Sequence, residues 1–248
     1  MKWLIRAGIA VAILAAGTVV TVERSGGAFA HDWRTASRES VGIAPDPAAY
    51  SDPVIQIYAA RAWSWRGYFG VHTWISTKRA GAERYQVHEV IGWRAYRGMS
   101  VVTSSGRPPD GRWFGRTPDL LLDLRGPQYE IVIDKIEDAI ARYPFADRYT
   151  VWPGPNSNTF TAFVAREVAE LDVDLPPTAI GKDYLPTGIV AEAPSGSGYQ
   201  VSLAGLLGVM VAAEEGLEIN ILGLTFGIDP LDLAVKLPGI GRIGPDDT

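Results

Sequence analysis

Three consecutive segments rich in β-branched and aromatic residues, Val54 to Trp63, Tyr68 to Arg79 and Arg84 to Tyr96, constrain this chain most. Only short breaks at Arg66-Gly67 and Ala80-Gly81-Ala82 separate them, too short for a crossover helix, so antiparallel strands are expected. Helical periodicity comes afterwards. Gln128 to Tyr143 sets Val132, Ile133, Ile136, Ala139, Ile140 and Tyr143 at three- and four-residue steps and stops at Pro144. Asn158 to Leu171 repeats the pattern with Phe160, Phe163, Val164, Val168 and Leu171. Strands followed by helices predict an α+β fold, an antiparallel sheet with two main helices on one face. Thr103 to Arg116 and Pro176 to Pro194 read as loops. Tyr199 to Lys236 is apolar and punctuated by glycine, with Val209 to Ala213 and Ile219 to Ile228 flanking Glu214-Glu215-Gly216 like a hairpin. The acids Glu214, Glu215, Glu218 and Asp229 argue against a membrane helix there, and buried strands extending the core are expected.

The N-terminus carries an address. Lys2 and Arg6 precede an uncharged run from Ala7 to Val22, and Ala28-Phe29-Ala30 has the small-x-small form of a signal-peptidase site. Residues 1–30 are expected to be a signal peptide or an N-terminal membrane anchor, and either would export the domain, to the periplasm or to the periplasmic face of the inner membrane. Residues 31–53 read as an extended lead-in, with Ala44-Pro45-Asp46-Pro47 at its centre, and 54–248 as a single domain.

Composition removes several function classes. The net charge is −5, and losing residues 1–30 takes away Lys2, Arg6, Arg24 and Glu23 to leave −7, so no basic footprint for nucleic acid exists. With no cysteine there is no disulfide, thiolate metal site or thiol nucleophile. No dinucleotide loop sits between a strand and a helix, and neighbours such as His88 and Glu89 point to opposite faces of a strand rather than converging on a metal. No cofactor is expected.

Chemistry concentrates in Tyr149-Thr-Val-Trp-Pro-Gly-Pro-Asn-Ser-Asn-Thr-Phe-Thr161, which delivers Asn156-Ser157-Asn158 to a helix start. Unpaired N–H groups and the positive end of the helix dipole favour an anion there, so a nucleophile would be activated and an oxyanion stabilised. The plainer role is capping, which Asn and Ser perform routinely. A serine also needs a base, and His72 lies on a predicted strand upstream. If the turn at Ala80 to Glu83 has four residues, Arg79 pairs with Arg84, His72 faces Ile91, and Glu89 is its diagonal neighbour; an odd turn brings His88 there instead. Glu89 is the stronger orienter because a carboxylate favours the imidazolium. Packing alone would also account for His72 beside Trp74, and a solvated strand charge for Glu89.

This order, strand histidine, polar group on the next strand, nucleophile at a helix start in Asn156-Ser157-Asn158-Thr159-Phe160, resembles the circularly permuted papain-like, lecithin retinol acyltransferase-like group over about residues 54–171. The resemblance implies an acyltransferase, amidase, peptidase or lipid-processing enzyme, with Ser157 where that group carries cysteine. A hydroxyl ionises far less than a thiol, so the base must be well poised. The chain is similar throughout, including Asp32-Trp33-Arg34-Thr35-Ala36-Ser37-Arg38 and Leu237-Pro238-Gly239-Ile240-Gly241, to a family of uncharacterised bacterial exported proteins. Two functions follow as expectations. One is an exported amide or ester hydrolase or acyltransferase using Ser157 as nucleophile, His72 as general base and Glu89 as orienter, with helix-start N–H groups, Asn156 or Asn158 as oxyanion donors. The other is a non-catalytic envelope protein binding a small molecule, lipid, peptide or glycan in the same groove.

Overall fold

The computed structural model describes residues 2–24 and 32–245. Ala28-Phe29-Ala30 lies outside the described residues. Helix α1 (Lys2–Arg24) precedes the lead-in, and among the described residues no helix is long and apolar enough to cross a membrane.

Strands β1 (Val54–Arg61), β2 (Val71–Lys78), β3 (Gln86–Val90), β4 (Val102–Ser105) and β5 (Asp119–Arg125) form an antiparallel sheet in the order β4-β3-β2-β1-β5. The β2–β3 register pairs Ile75 with His88 and Thr77 with Gln86. Its even turn places Glu89, not His88, on the face of His72. The third segment ends as a strand at Val90 rather than Tyr96, because the chain turns into a 3₁₀ helix at Gly92–Arg97. Part of the expected loop from Thr103 also pairs, as β4, since its backbone completes the edge beside β3.

Every residue of β1 and β2 is buried because both sheet faces are covered. On one face, Ile55, Ile57, Val71 and Ile75 pack against Val132, Ile133 and Ile136 of α2 (Glu130–Ala141) and Phe160 and Val164 of α3 (Ser157–Glu167). Both helices therefore sit on one side, as their apolar stripes require. On the other face, Tyr58, Trp74 and Val87 are closed over by Ile43, Trp113 and Leu120. The lead-in is held there by Asp110, whose carboxylate accepts from Ile43 N at 2.6 Å and Ala44 N at 3.2 Å.

The C-terminal strands do not extend this core. They form a second, seven-stranded antiparallel meander: β6 (Val190–Glu192), β7 (Gly198–Leu203), β8 (Leu207–Ala212), β9 (Gly216–Ile221), β10 (Leu224–Asp229), β11 (Ala234–Leu237) and β12 (Gly241–Ile243). Nor are they buried in the expected sense. The inward positions include Gln200, Ser202, Glu218, Asn220, Thr225 and Lys236, while the alternating apolar side chains face out. Beneath the sheet Glu218 joins two lysines, Lys182 at 2.7 Å and Lys236 at 3.0 Å, and Lys236 also meets Asp174 at 2.5 Å. Asn220 Nδ2 donates to Asp183 Oδ2 at 2.5 Å. The charges offset one another's desolvation, which is the condition for burying them at all.

Candidate functional site

Helix α3 starts where the sequence places it, and Asn156 is its N-cap. The Asn156 Oδ1 accepts from Asn158 N at 2.9 Å and Thr159 N at 3.2 Å, while Thr159 Oγ1 accepts from Asn156 N at 3.1 Å, completing a capping box. Asn156 Nδ2 donates to the carbonyls of Val151 at 3.1 Å and Ile180 at 2.9 Å. Gly181 permits this: its φ is +99°, and a Cβ there would meet the Asn156 side chain at 2.5 Å. Asn158 is equally committed, with Nδ2 donating to Val71 O at 3.1 Å and Ile180 O at 2.8 Å and Oδ1 accepting from Thr73 Oγ1 at 3.1 Å. Asn158 therefore ties the helix start to β2, and both amides tie it to Ile180 in the following loop. Their N–H groups are spent on carbonyls, which removes them as ready oxyanion donors. Ser157 N–H remains, with no hydrogen bond to any described residue.

His72 lies near the start of β2, on the sheet face opposite Thr73. Its Nε2 donates to Glu89 Oε2 at 2.8 Å, and Arg107 Nε donates to Glu89 Oε1 at 2.9 Å. Arg107 also covers Trp74, its guanidinium 4.6 Å from the ring centroid. Burial raises the pKa of Glu89, but its partners His72 and Arg107 outweigh that and hold the carboxyl at about 2. Burial pushes His72 the other way, below its usual value, against the pull of Glu89. The pair therefore rests at neutral pH as a neutral imidazole on an ionised carboxylate. With the proton on Nε2, the lone pair is on Nδ1.

His88 belongs elsewhere. Its Nε2 pairs with Thr77 Oγ1 at 3.0 Å and its Nδ1 with Ser104 Oγ at 2.7 Å, and burial lowers its pKa to about 4. It is a satisfied internal histidine with no contact to His72.

His72 and Ser157 both line one groove of about 520 Å³ at the end of the sheet, together with Asn156 and Asn158. Ser157 Oγ makes no hydrogen bond to His72 or to any other described residue. Aromatic side chains dominate the walls, among them Trp63, Trp65, Trp93, Tyr149 and Trp152. Sequence reasoning missed Arg107 and did not connect Trp113 with His72. Both come from the loop after β4, and no local pattern ties a loop residue to a strand carboxylate. Among the described residues no cluster of His, Asp and Glu is arranged to hold a metal ion.

The family described as Protein of unknown function (DUF3750) matches residues 52–184. The chain belongs to this family. The matched stretch runs from β1 to the loop after α3 and contains His72, Glu89, Arg107 and Ser157, whereas the seven-stranded sheet follows it. No curated protein and no solved structure matches the chain.

Proposed function

We propose that this DUF3750 protein is an exported, serine-dependent hydrolase or acyltransferase acting on an amide or ester in the cell envelope. The observation that carries the reading is the buried His72–Glu89 hydrogen bond at 2.8 Å, backed by Arg107, opening on the same groove as Ser157. An ionised Glu89 fixes the imidazole tautomer and stabilises the imidazolium that forms when His72 takes the Ser157 proton. Ser157 Oγ then attacks the substrate carbonyl, and the Ser157 N–H at the positive end of α3 donates a hydrogen bond to the developing oxyanion. The proton returns from His72 to the leaving amine or alcohol. Water, or an acceptor alcohol or amine, releases the acyl group by the reverse sequence. The order of the three residues along the chain supports a permuted papain-like relationship in this reading, with serine in the place of cysteine.

A fluorophosphonate probe tests the proposal without a known substrate. Labelling of the folded protein that disappears in Ser157→Ala and slows at least tenfold in His72→Ala is the expected result. Equal labelling of Ser157→Ala, or none in the folded wild type, overturns the mechanism.

The missing hydrogen bond between Ser157 and His72 favours a second reading, in which the groove binds a lipid, peptide or glycan without turnover. Apolar, aromatic walls with a few polar groups at the base are what such a pocket needs. Under that reading the probe leaves Ser157 unlabelled, while ligands that quench groove tryptophan fluorescence bind equally to wild type and Ser157→Ala.

A further inference from the structure

The outward face of the second sheet is apolar at every alternating position from β7 to β11: Tyr199, Val201 and Leu203, then Leu207, Val209 and Val211, Leu217, Ile219 and Ile221, Phe226 and Ile228, and Val235. These side chains are 37% to 66% exposed. A one-sided sheet in water shows the opposite pattern, polar out and apolar in. Soluble monomers rarely leave contiguous apolar patches larger than roughly 300 to 600 Å², and twelve large half-exposed side chains on one face exceed that. Something apolar covers this face.

Three features indicate what. First, the face continues into the groove rim. The turns at one end of the sheet, Ala204-Gly205-Leu206, Leu222-Gly223 and Pro238-Gly239-Ile240, carry no charge. Trp152 Nε1 donates to Leu222 O at 2.9 Å, and Leu222 and Leu224 line the groove with the exposed Trp65, Phe69, Trp93 and Tyr96. Second, the charge on that side is one-signed. The groove lining holds Arg66 and no acid, and Arg94, Arg97 and Arg148 stand in the adjoining segments, in a chain of net charge −5. Glu214, Glu215, Asp229 and Asp232 stand at or beside the turns of its other end. Third, the apolar helix α1 arrives at the uncharged end: the Cβ position of Gly17 lies 2.7 Å from the Ile240 side chain, and that of Gly239 lies 2.5 Å from Thr18.

We infer that the outward face of the second sheet and the aromatic rim form one docking surface for an anionic lipid bilayer, on which the groove opens. The apolar side chains reach the acyl boundary, tryptophan and tyrosine take the interface, and the arginines meet lipid phosphates. A protein partner would satisfy the apolar face but would not call for an interfacial belt of Trp and Tyr with positive charge beside it. This inference stands apart from the catalytic reading, since it holds for a binder as well.

The absence of cysteine makes the test direct. Full-length Val209→Cys, Ile219→Cys and Tyr96→Cys each receive one nitrobenzoxadiazole label, as does Asp138→Cys on the exposed polar side of α2. Each is mixed with vesicles of phosphatidylglycerol and phosphatidylethanolamine, with and without brominated acyl chains. Because α1 is present in every variant, the comparison between positions carries the result. Expected are a blue shift and bromine quenching at positions 209, 219 and 96, neither at 138, and weaker effects on phosphatidylcholine vesicles. Labels at 209 and 219 that stay water-exposed on vesicles overturn the inference. So does a face already protected without lipid in a dimer seen by sedimentation, which would make a second copy its cover. Matching thermal melts of the labelled variants exclude misfolding as the cause of either result.

Discussion

Trp113 lies flat on His72, with ring centroids 3.8 Å apart and planes 14° from parallel. The indole shuts water from one face of the imidazole, and this loss of solvent is the main reason that His72 titrates below the usual histidine range. Glu89 pulls in the opposite direction. Two substitutions should therefore move His72 oppositely. Trp113→Ala readmits water and raises its pKa towards 6.5, whereas Glu89→Gln removes the carboxylate and lowers it further. The C2-proton resonance of His72, followed by NMR between pH 4 and 8, reads both. Shifts of the same sign in the two variants would show that burial and the carboxylate do not set this imidazole.

The second histidine makes a stability prediction. His88 titrates near 6.5 in the unfolded chain and at about 4 when folded. Between those values the unfolded state binds the extra proton, so stability is fully present above pH 6.5 and is lost as pH falls towards 4. The loss amounts to on the order of 3 kcal/mol. His88→Gln keeps a polar side chain between Thr77 and Ser104 but does not titrate, so its urea midpoint should fall less steeply over this range. Asp174, held at about 6 by burial despite the lysines, works in the opposite sense in the same window, which makes the difference between wild type and variant the quantity to compare. Parallel curves for the two proteins would refute the assignment.

Much of the first half of the molecule is legible in the sequence because its signals are local. The helix starts at Ser157 since Asn156 and Thr159 carry the cap between them, whereas the sequence leaves the turn at Ala80 to Glu83 even or odd and the structure makes it even. That register alone sends Glu89, and not His88, to His72. Arg107 and Trp113 are invisible at that level, for their contacts span sequence distance through an irregular loop. The second sheet was misread for a different reason. Its alternation is plain in Leu217-Glu218-Ile219-Asn220-Ile221, but a period of two does not say which face meets the core. Hydrophobicity assigns the apolar face inward; here Lys182, Lys236, Asp174 and Glu218 form the buried layer instead.

That buried layer should be fragile to single changes. Lys236 Nζ donates to Glu215 O at 2.9 Å as well as meeting Glu218 and Asp174, and its side chain is fully enclosed. Lys236→Met leaves Asp174 without the lysine that meets it and takes one of two lysines from Glu218, at a cost of about 3 to 5 kcal/mol. Adding Asp174→Asn to Lys236→Met removes the carboxylate left without its lysine and should recover part of the loss, while Lys182 keeps Glu218. Urea denaturation of the single and double variants decides the matter. A Lys236→Met protein as stable as wild type would mean that the sheet is not held to the first domain through these charges.

The electrostatics at the start of α3 can be measured whether or not a substrate is ever found. Ser157→Cys places the only thiol of the chain at that position. A thiol at a helix N-terminus, lining the same groove as a neutral imidazole that takes its proton under the proposed mechanism, ionises well below its usual 8.5. The rate of iodoacetamide alkylation against pH should therefore show an inflection at least one unit below that value. Adding His72→Ala should move the inflection back up, because only the helix dipole then remains. If the two profiles coincide, His72 and the residue at 157 do not communicate, and the groove is a binding site whose serine only begins a helix. If they separate, the base serves the position that the proposed acyl transfer requires, and the weak ionisation of a hydroxyl is the remaining obstacle that His72 must overcome.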